Sequence, residues 1–129
     1  MGATMLIADD NPRMRALIRR MVAQEPELQL VGEAEDGEQA IHLAHELRPD
    51  IVLLDLAMPR VSGLEAMRRI KAERPATKVI IVTVHTEEAY RRAAEDGGAD
   101  AFLVKKTLIT ALLPTIRCIR RSLSPPNAP

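Results

Sequence analysis

The sequence predicts an α/β fold, a parallel sheet of five strands with helices packed on both faces. Three observations carry this reading. Five short apolar runs alternate with five stretches of helical periodicity. Proline, glycine or a capping residue marks the boundaries between them. Side chains able to do chemistry recur where the runs stop: Asp9-Asp10, Asp55, Thr83 and Lys105.

The first strand is Met5 to Ala8. Asn11-Pro12 then supplies a cap and a proline suited to a first helical turn. Met14, Leu17, Ile18, Met21 and Val22 follow at helical spacing, and Pro26 marks the exit. Leu28 to Gly32 is the second strand, the weakest of the five. Asp36-Gly37-Glu38-Gln39 reads as a capping box with Ala40, Leu43, Ala44 and Leu47 as the stripe behind it, ended by Pro49. Ile51 to Leu54 is apolar on both faces, as a buried parallel strand should be. Ser62-Gly63-Leu64-Glu65 is a second capping box, and Leu64, Met67 and Ile70 face inward from the helix that Pro75 ends. Val79 to Val82 is the fourth strand. Thr86 is the expected cap of a helix carrying Ala89, Tyr90, Ala93 and Ala94, closed by Gly97-Gly98. Ala101 to Val104 is the fifth strand. A last helix, with Leu112, Leu113, Ile116 and Ile119 inward, runs to about Arg121, and Pro114 is expected in its first turn or at a kink.

Right-handed crossovers between such units give a doubly wound sheet. The natural order for five strands is 2-1-3-4-5, the flavodoxin-like (βα)5 arrangement, whose switch point lies between the first and third strands. That places Asp10 and Asp55 side by side. Crowded carboxylates resist ionisation unless a cation joins them, so the pattern points to a hard divalent metal beside an acidic nucleophile, with Thr83 and Lys105 ready for an anion.

The 129 residues suit one domain with a real core, and 47% hydrophobic with 28% charged residues exclude a disordered chain. Lys+Arg and Asp+Glu both number 18, so no overall field draws the chain to nucleic acid or an anionic membrane. The apolar runs are too short to span a bilayer, and a cytoplasmic location is expected. Cys118 is the single cysteine, so no internal disulfide can form. Tyr90 and Phe102 are the only aromatic residues, which argues against ring-stacking sites such as those for flavin or single-stranded nucleic acid.

Taken together, Asp9-Asp10, Asp55 followed by Met58-Pro59 and Ser62-Gly63, Thr83 after an apolar strand, and Phe102 three residues before Lys105 resemble the receiver domains of bacterial two-component response regulators. The likeness runs from Met5 to about Arg121. It implies a receiver over residues 1–121 and a Ser/Pro-rich linker or tail over 122–129. It also implies that Asp55 is the phosphoacceptor for a sensor histidine kinase. Asp10 and Asp55, Asp9 through water, and the carbonyl of Ala57 would hold Mg2+. Thr83 and Lys105 would bind the phosphoryl group, Thr83 and Phe102 would form the switch, and Ala57, Val84 and His85 would tune the site. Such a module catalyses only its own phosphorylation and dephosphorylation, so it is not a turnover enzyme.

The Gly-Ala-Asp-Ala-Phe-Leu-Val-Lys-Lys stretch from Gly98 to Lys106 is most similar to receivers of LuxR-type transcription factors. That likeness implies transcriptional output through a domain absent from this chain, which fits either a truncated regulator or a stand-alone one. A phosphorylation-dependent homodimer is expected, and direct nucleic-acid binding by this chain is not. Two departures stand out. Lys106 occupies the place after the lysine where many receivers have proline, leaving the peptide geometry open. Val84 is larger than the residue often found after the switch threonine, and is expected to narrow the path to Asp55.

Two other functions compete. A phosphatase of the haloacid dehalogenase type also uses an aspartyl nucleophile, but wants a second acid where Ala57 stands. A pure interaction domain would not need the intact Asp9, Asp10, Asp55, Thr83 and Lys105 set. Among the remaining residues, His42 and His45 lie three apart without a third ligand in sight and read as a solvated helix face. Cys118 reads as a helical thiol without a base, and Arg68-Arg69 and Arg117, Arg120 and Arg121 as surface or helix-end charges.

Overall fold

The computed structural model describes residues 2–123. Its elements alternate without exception: β1 (Ala3–Ala8), α1 (Pro12–Val22), β2 (Leu28–Ala34), α2 (Gly37–Leu47), β3 (Ile51–Asp55), α3 (Gly63–Glu73), β4 (Lys78–Thr83), α4 (Glu88–Asp96), β5 (Ala101–Val104) and α5 (Leu108–Arg121). The five strands are parallel in the order β2-β1-β3-β4-β5, as the sequence predicts.

Strand periodicity divides the interior in two. Met5 and Ile7, Ile51 and Leu53, and Ile80 and Val82 face α1 and α5, where Ile18, Met21, Leu112 and Ile116 meet them. Their neighbours Leu6 and Ala8, Val52 and Leu54, and Val79 and Ile81 face Ala40, Ala44, Met67, Ile70 and Ala94 of α2, α3 and α4. Both faces of β1, β3 and β4 are therefore covered, which explains runs that are apolar rather than alternating. Each large side chain enclosed this way contributes roughly 1.5–3 kcal/mol.

Several local expectations need correction. The edge strand β2 continues two residues beyond Gly32 to Ala34, whose carbonyl accepts from Asp9 N at 3.1 Å. Its register with β1 slips between Met5 and Leu6, leaving Val31 as an extra residue between Leu30 and Gly32. Asp36 caps α2 by accepting from Gln39 N at 2.8 Å, but Gln39 Oε1 accepts from Glu35 N rather than closing the box on Asp36. Ser62 caps α3, while the Glu65 carboxylate turns to Arg69 at 3.0 Å. Thr86 is not the cap of α4. That position falls to Glu87, which makes no side-chain cap bond, because the 84–87 segment stays extended one residue longer. Pro114 lies inside α5, not in its first turn, so the Thr110 carbonyl has no amide from residue 114 to accept.

A single 3₁₀ turn, Lys105–Thr107, joins β5 to α5. Among the described residues no peptide bond is cis, which settles the Lys105–Lys106 geometry as trans. Ser122 and Leu123 form a turn after α5, and the rest of the Ser/Pro-rich end lies outside the described residues.

Candidate functional site

Parallel register sets Ala8 beside Leu54, Asp55 beside Val82 and Thr83 beside Val104. The next residue of each strand therefore emerges on one edge of the sheet, where Asp9, Asp10, Asp55, Thr83 and Lys105 meet. This is the edge at which open α/β sheets bind ligands.

Asp9 and Asp55 are enclosed, with 0% and 5% of their surface exposed, while Asp10 is exposed. One oxygen from each of the three carboxylates lies within 4.8 Å of the others. Asp9 Oδ1 accepts from Asn11 N at 2.8 Å, which joins the acidic pair to the start of α1. Asp9 Oδ2 is buried and ion-paired with the Lys105 ammonium at 2.9 Å. Lys105 Nζ also donates to Asp55 Oδ2 at 3.3 Å, and Ala57 N donates to Asp55 Oδ1 at 3.3 Å.

Burial, and then the charge of Asp9, push the Asp55 carboxyl above its ordinary value against the pull of Lys105. Burial alone would lower Lys105, but its contact with Asp9 and the charge of Asp55 outweigh that and raise it. One ammonium, paired with Asp9 and Asp55, stands against three carboxylates. The three clustered carboxylate oxygens and the raised Asp55 carboxyl both fit an added hard cation.

The other expected site residues are spread around this centre. Thr83 is buried, and its hydroxyl oxygen accepts from His85 N at 3.0 Å. Val84 is 67% exposed. Ala57 is exposed on the loop after β3. Phe102 is half-buried against the α2–α4 side of the sheet.

Sequence reasoning missed three partnerships. Arg91 on α4 stacks its guanidinium over the Phe102 ring, 4.9 Å from the centroid. His85 and Tyr90 stack with centroids 4.6 Å apart. Arg15 donates to the Asp9 carbonyl at 2.6 Å and approaches Glu33 and Glu35. None has a sequence period to betray it, although a single arginine one turn into α1 near Asp9-Asp10 was a signal available to be read. His45 is not merely solvated, since it pairs with Glu73 across α2 and α3.

Comparison with known proteins agrees with this geometry. The family model described as the response regulator receiver domain matches residues 5–117. The chain is 37% identical over 123 residues to the response regulator GacA of Pseudomonas aeruginosa, covering 93% of this chain and 58% of that protein. It is 34% identical over 114 residues to the transcriptional regulatory protein DegU of Brevibacillus brevis, covering 88% and 48%. The chain thus spans about half the length of the curated relatives it matches. A two-component response regulator of the LuxR family from Aurantimonas superposes with a TM-score of 0.90 at 32% identity, covering 95% of this chain and 87% of that one. With strand order, acidic cluster and family match in agreement, the chain belongs to the receiver domains of two-component response regulators.

Proposed function

We propose that Asp55 is the phosphoacceptor, and that residues 1–121 form the receiver while 122–129 form a Ser/Pro-rich linker or tail. The observation that carries the reading is the convergence of Asp9, Asp10, Asp55 and Lys105 at one sheet edge. An Asp55 carboxylate oxygen forms a bond to phosphorus as the bond from phosphorus to the donor nitrogen of a kinase histidine breaks. The nitrogen keeps the electron pair. Asp10 and Asp55, the Ala57 carbonyl and, through water, Asp9 would hold Mg2+, whose charge when bound offsets that of the phosphoryl oxygens.

Lys105, already 3.3 Å from Asp55, is placed to transfer its ammonium to a phosphoryl oxygen. The Thr83 hydroxyl accepts from His85 yet retains its own proton to donate. Moving that hydroxyl toward a phosphate changes the space beside β5, where Phe102 lies under Arg91. The α4–β5–α5 surface is therefore the switch, and the added charge of about −1.5 to −2 drives it. The partners are a sensor histidine kinase, a second copy of the phosphorylated chain, and an output domain; a transcriptional output is supported by the name of the transcriptional regulatory protein DegU. No helix among the described residues is long and apolar enough to cross a membrane, and the cytoplasm is the expected location.

Intact mass after incubation with acetyl phosphate, or with a phosphorylated histidine kinase, tests this. One phosphoryl adduct that requires Mg2+ and is absent from Asp55→Asn supports the reading. An adduct retained in Asp55→Asn, or none with either donor, overturns it.

A further inference from the structure

The loop between β3 and α3 holds Arg60 at φ 68, a backbone conformation that side chains rarely adopt. Its guanidinium Nη1 donates to Asp36 Oδ2 at 2.5 Å. The Asp36 carboxylate is 10% exposed, and its other oxygen accepts from Gln39 N at 2.8 Å to cap α2. One enclosed carboxylate thus grips a helix start with one oxygen and the loop with the other. The Gln39 amide, with Arg60 beside it, holds this carboxyl below its ordinary value despite some burial.

Backbone contacts carry the same connection toward Asp55. A Cβ on Gly37 would lie 2.0 Å from the Val61 carbonyl oxygen, so the start of α2 and the loop touch directly. A Cβ on Gly63 would lie 2.2 Å from the Asp55 carbonyl oxygen, and Gly63 N donates to Leu56 O at 2.9 Å. The loop is closed on itself by Val61 N donating to Pro59 O at 2.8 Å. Short contacts therefore run from Asp36 through the 59–63 segment to Asp55. Ala57, whose amide meets Asp55, lies within this loop.

We infer that Arg60 is a positioning residue: pinned to Asp36, it fixes the loop that holds Ala57 against Asp55, and so tunes the affinity of the acidic cluster for Mg2+. This rests on the proposed metal ligation by Asp55 and Ala57. A merely structural bridge would act on stability instead, and two substitutions separate the roles. Arg60→Gly removes the guanidinium while relieving the positive φ, so the fold loses little. Asp36→Asn keeps a capping oxygen for Gln39 but loses the charge that holds Arg60.

The test is a Mg2+ titration of the isotope-labelled chain followed by NMR amide shifts, with urea unfolding midpoints measured in parallel. Arg60→Gly and Asp36→Asn are each expected to weaken Mg2+ binding by about fivefold. The double variant should be no weaker than either single one, and Arg60→Lys should fall between them and the wild type. The Arg60→Gly midpoint should stay near the wild-type value. Unchanged Mg2+ affinity in Arg60→Gly, with binding lost in Asp55→Asn, overturns the positioning role alone. A wild-type chain that does not respond to Mg2+ removes the metal reading and this inference with it.

Discussion

Lys105 and Asp55 are fifty positions apart in the chain, yet the lysine ammonium donates to the Asp55 carboxylate at 3.3 Å. That pair ties the end of the last strand to the centre of the sheet, and in the proposed reaction Lys105 passes from Asp55 to a phosphoryl oxygen. Lys105→Ala removes a preorganised donor aimed at developing charge, which typically costs about 10²–10³ in rate. The rate of Asp55 phosphorylation at saturating Mg2+, read from the mass shift over time, should fall by roughly that factor while the far-ultraviolet dichroism is unchanged.

Asp55 should make the metal-free protein less stable at neutral pH. Its folded pKa is raised, so the folded state holds a proton more tightly than the unfolded chain does. Stability from this group is therefore present below the unfolded value of about 3.9 and is lost as pH rises through the folded value. Asp55→Asn should unfold at a higher urea concentration than wild type at pH 7 without Mg2+. The gain should shrink as pH falls toward about 4. A lower midpoint for the variant at pH 7 would contradict this.

Asp36 should act in the opposite sense. Its pKa is lowered by the Gln39 amide, against some burial, and by Arg60, so its contribution is present above about 3.9 and lost as pH falls through the lower folded value. Between pH 5 and 2, Asp36→Asn should lose less stability than wild type. Urea midpoints across that range measure the difference.

Gly63 sets how closely α3 approaches β3, the strand that ends at Asp55. A methyl group there meets backbone, the Asp55 carbonyl oxygen and Leu56 Cα, and neither can turn aside as a side-chain tip would. Gly63→Ala should lower both stability and phosphorylation rate. Leu53→Ala, within the α1/α5 core, should cost about 2–5 kcal/mol in stability while leaving the site chemistry of the folded fraction intact. Comparing the two variants separates displacement of Asp55 from general loosening.

Arg91 over Phe102 is a cation–π contact at a partly open site, worth about 0.5–1 kcal/mol. Arg91→Ala should cost no more than that in unfolding free energy, yet should broaden or shift the Phe102 ring resonances in NMR spectra of the unphosphorylated protein. Unchanged ring resonances would show that the guanidinium does not restrain Phe102.

The sheet was legible because burial leaves a period in the sequence. Ile51 to Leu54 had to be covered on both faces, and capping residues and prolines located the helices on either side. The acidic centre was legible for the same reason, since strand order brings Asp9, Asp10 and Asp55 together before any side chain is placed. Relations between loops leave no such trace. Arg60 and Asp36 meet because of a left-handed backbone step and a turn, and Arg15 reaches Asp9 by the direction of its helix. Thr86 misled because threonine has the chemistry of a cap, while the point at which α4 begins is decided by the path of the chain from Thr83. Of the two places open to Pro114, the first turn is excluded, because packing of Leu112 and Ile116 carries α5 through a residue that lacks an amide proton.

The short final strand has a further consequence. All four residues of β5 are half-buried, it pairs on one side with β4 alone, and the helices before and after it belong to opposite halves of the interior. Its amide protons should exchange with solvent deuterium well before those of β1 and β3, which are locked between neighbours on both sides. A receiver built this way holds Asp55 on a rigid floor and β5 on a yielding margin. Under the proposed phosphorylation of Asp55, the added charge would rearrange the outer surface without loosening the ground on which it landed.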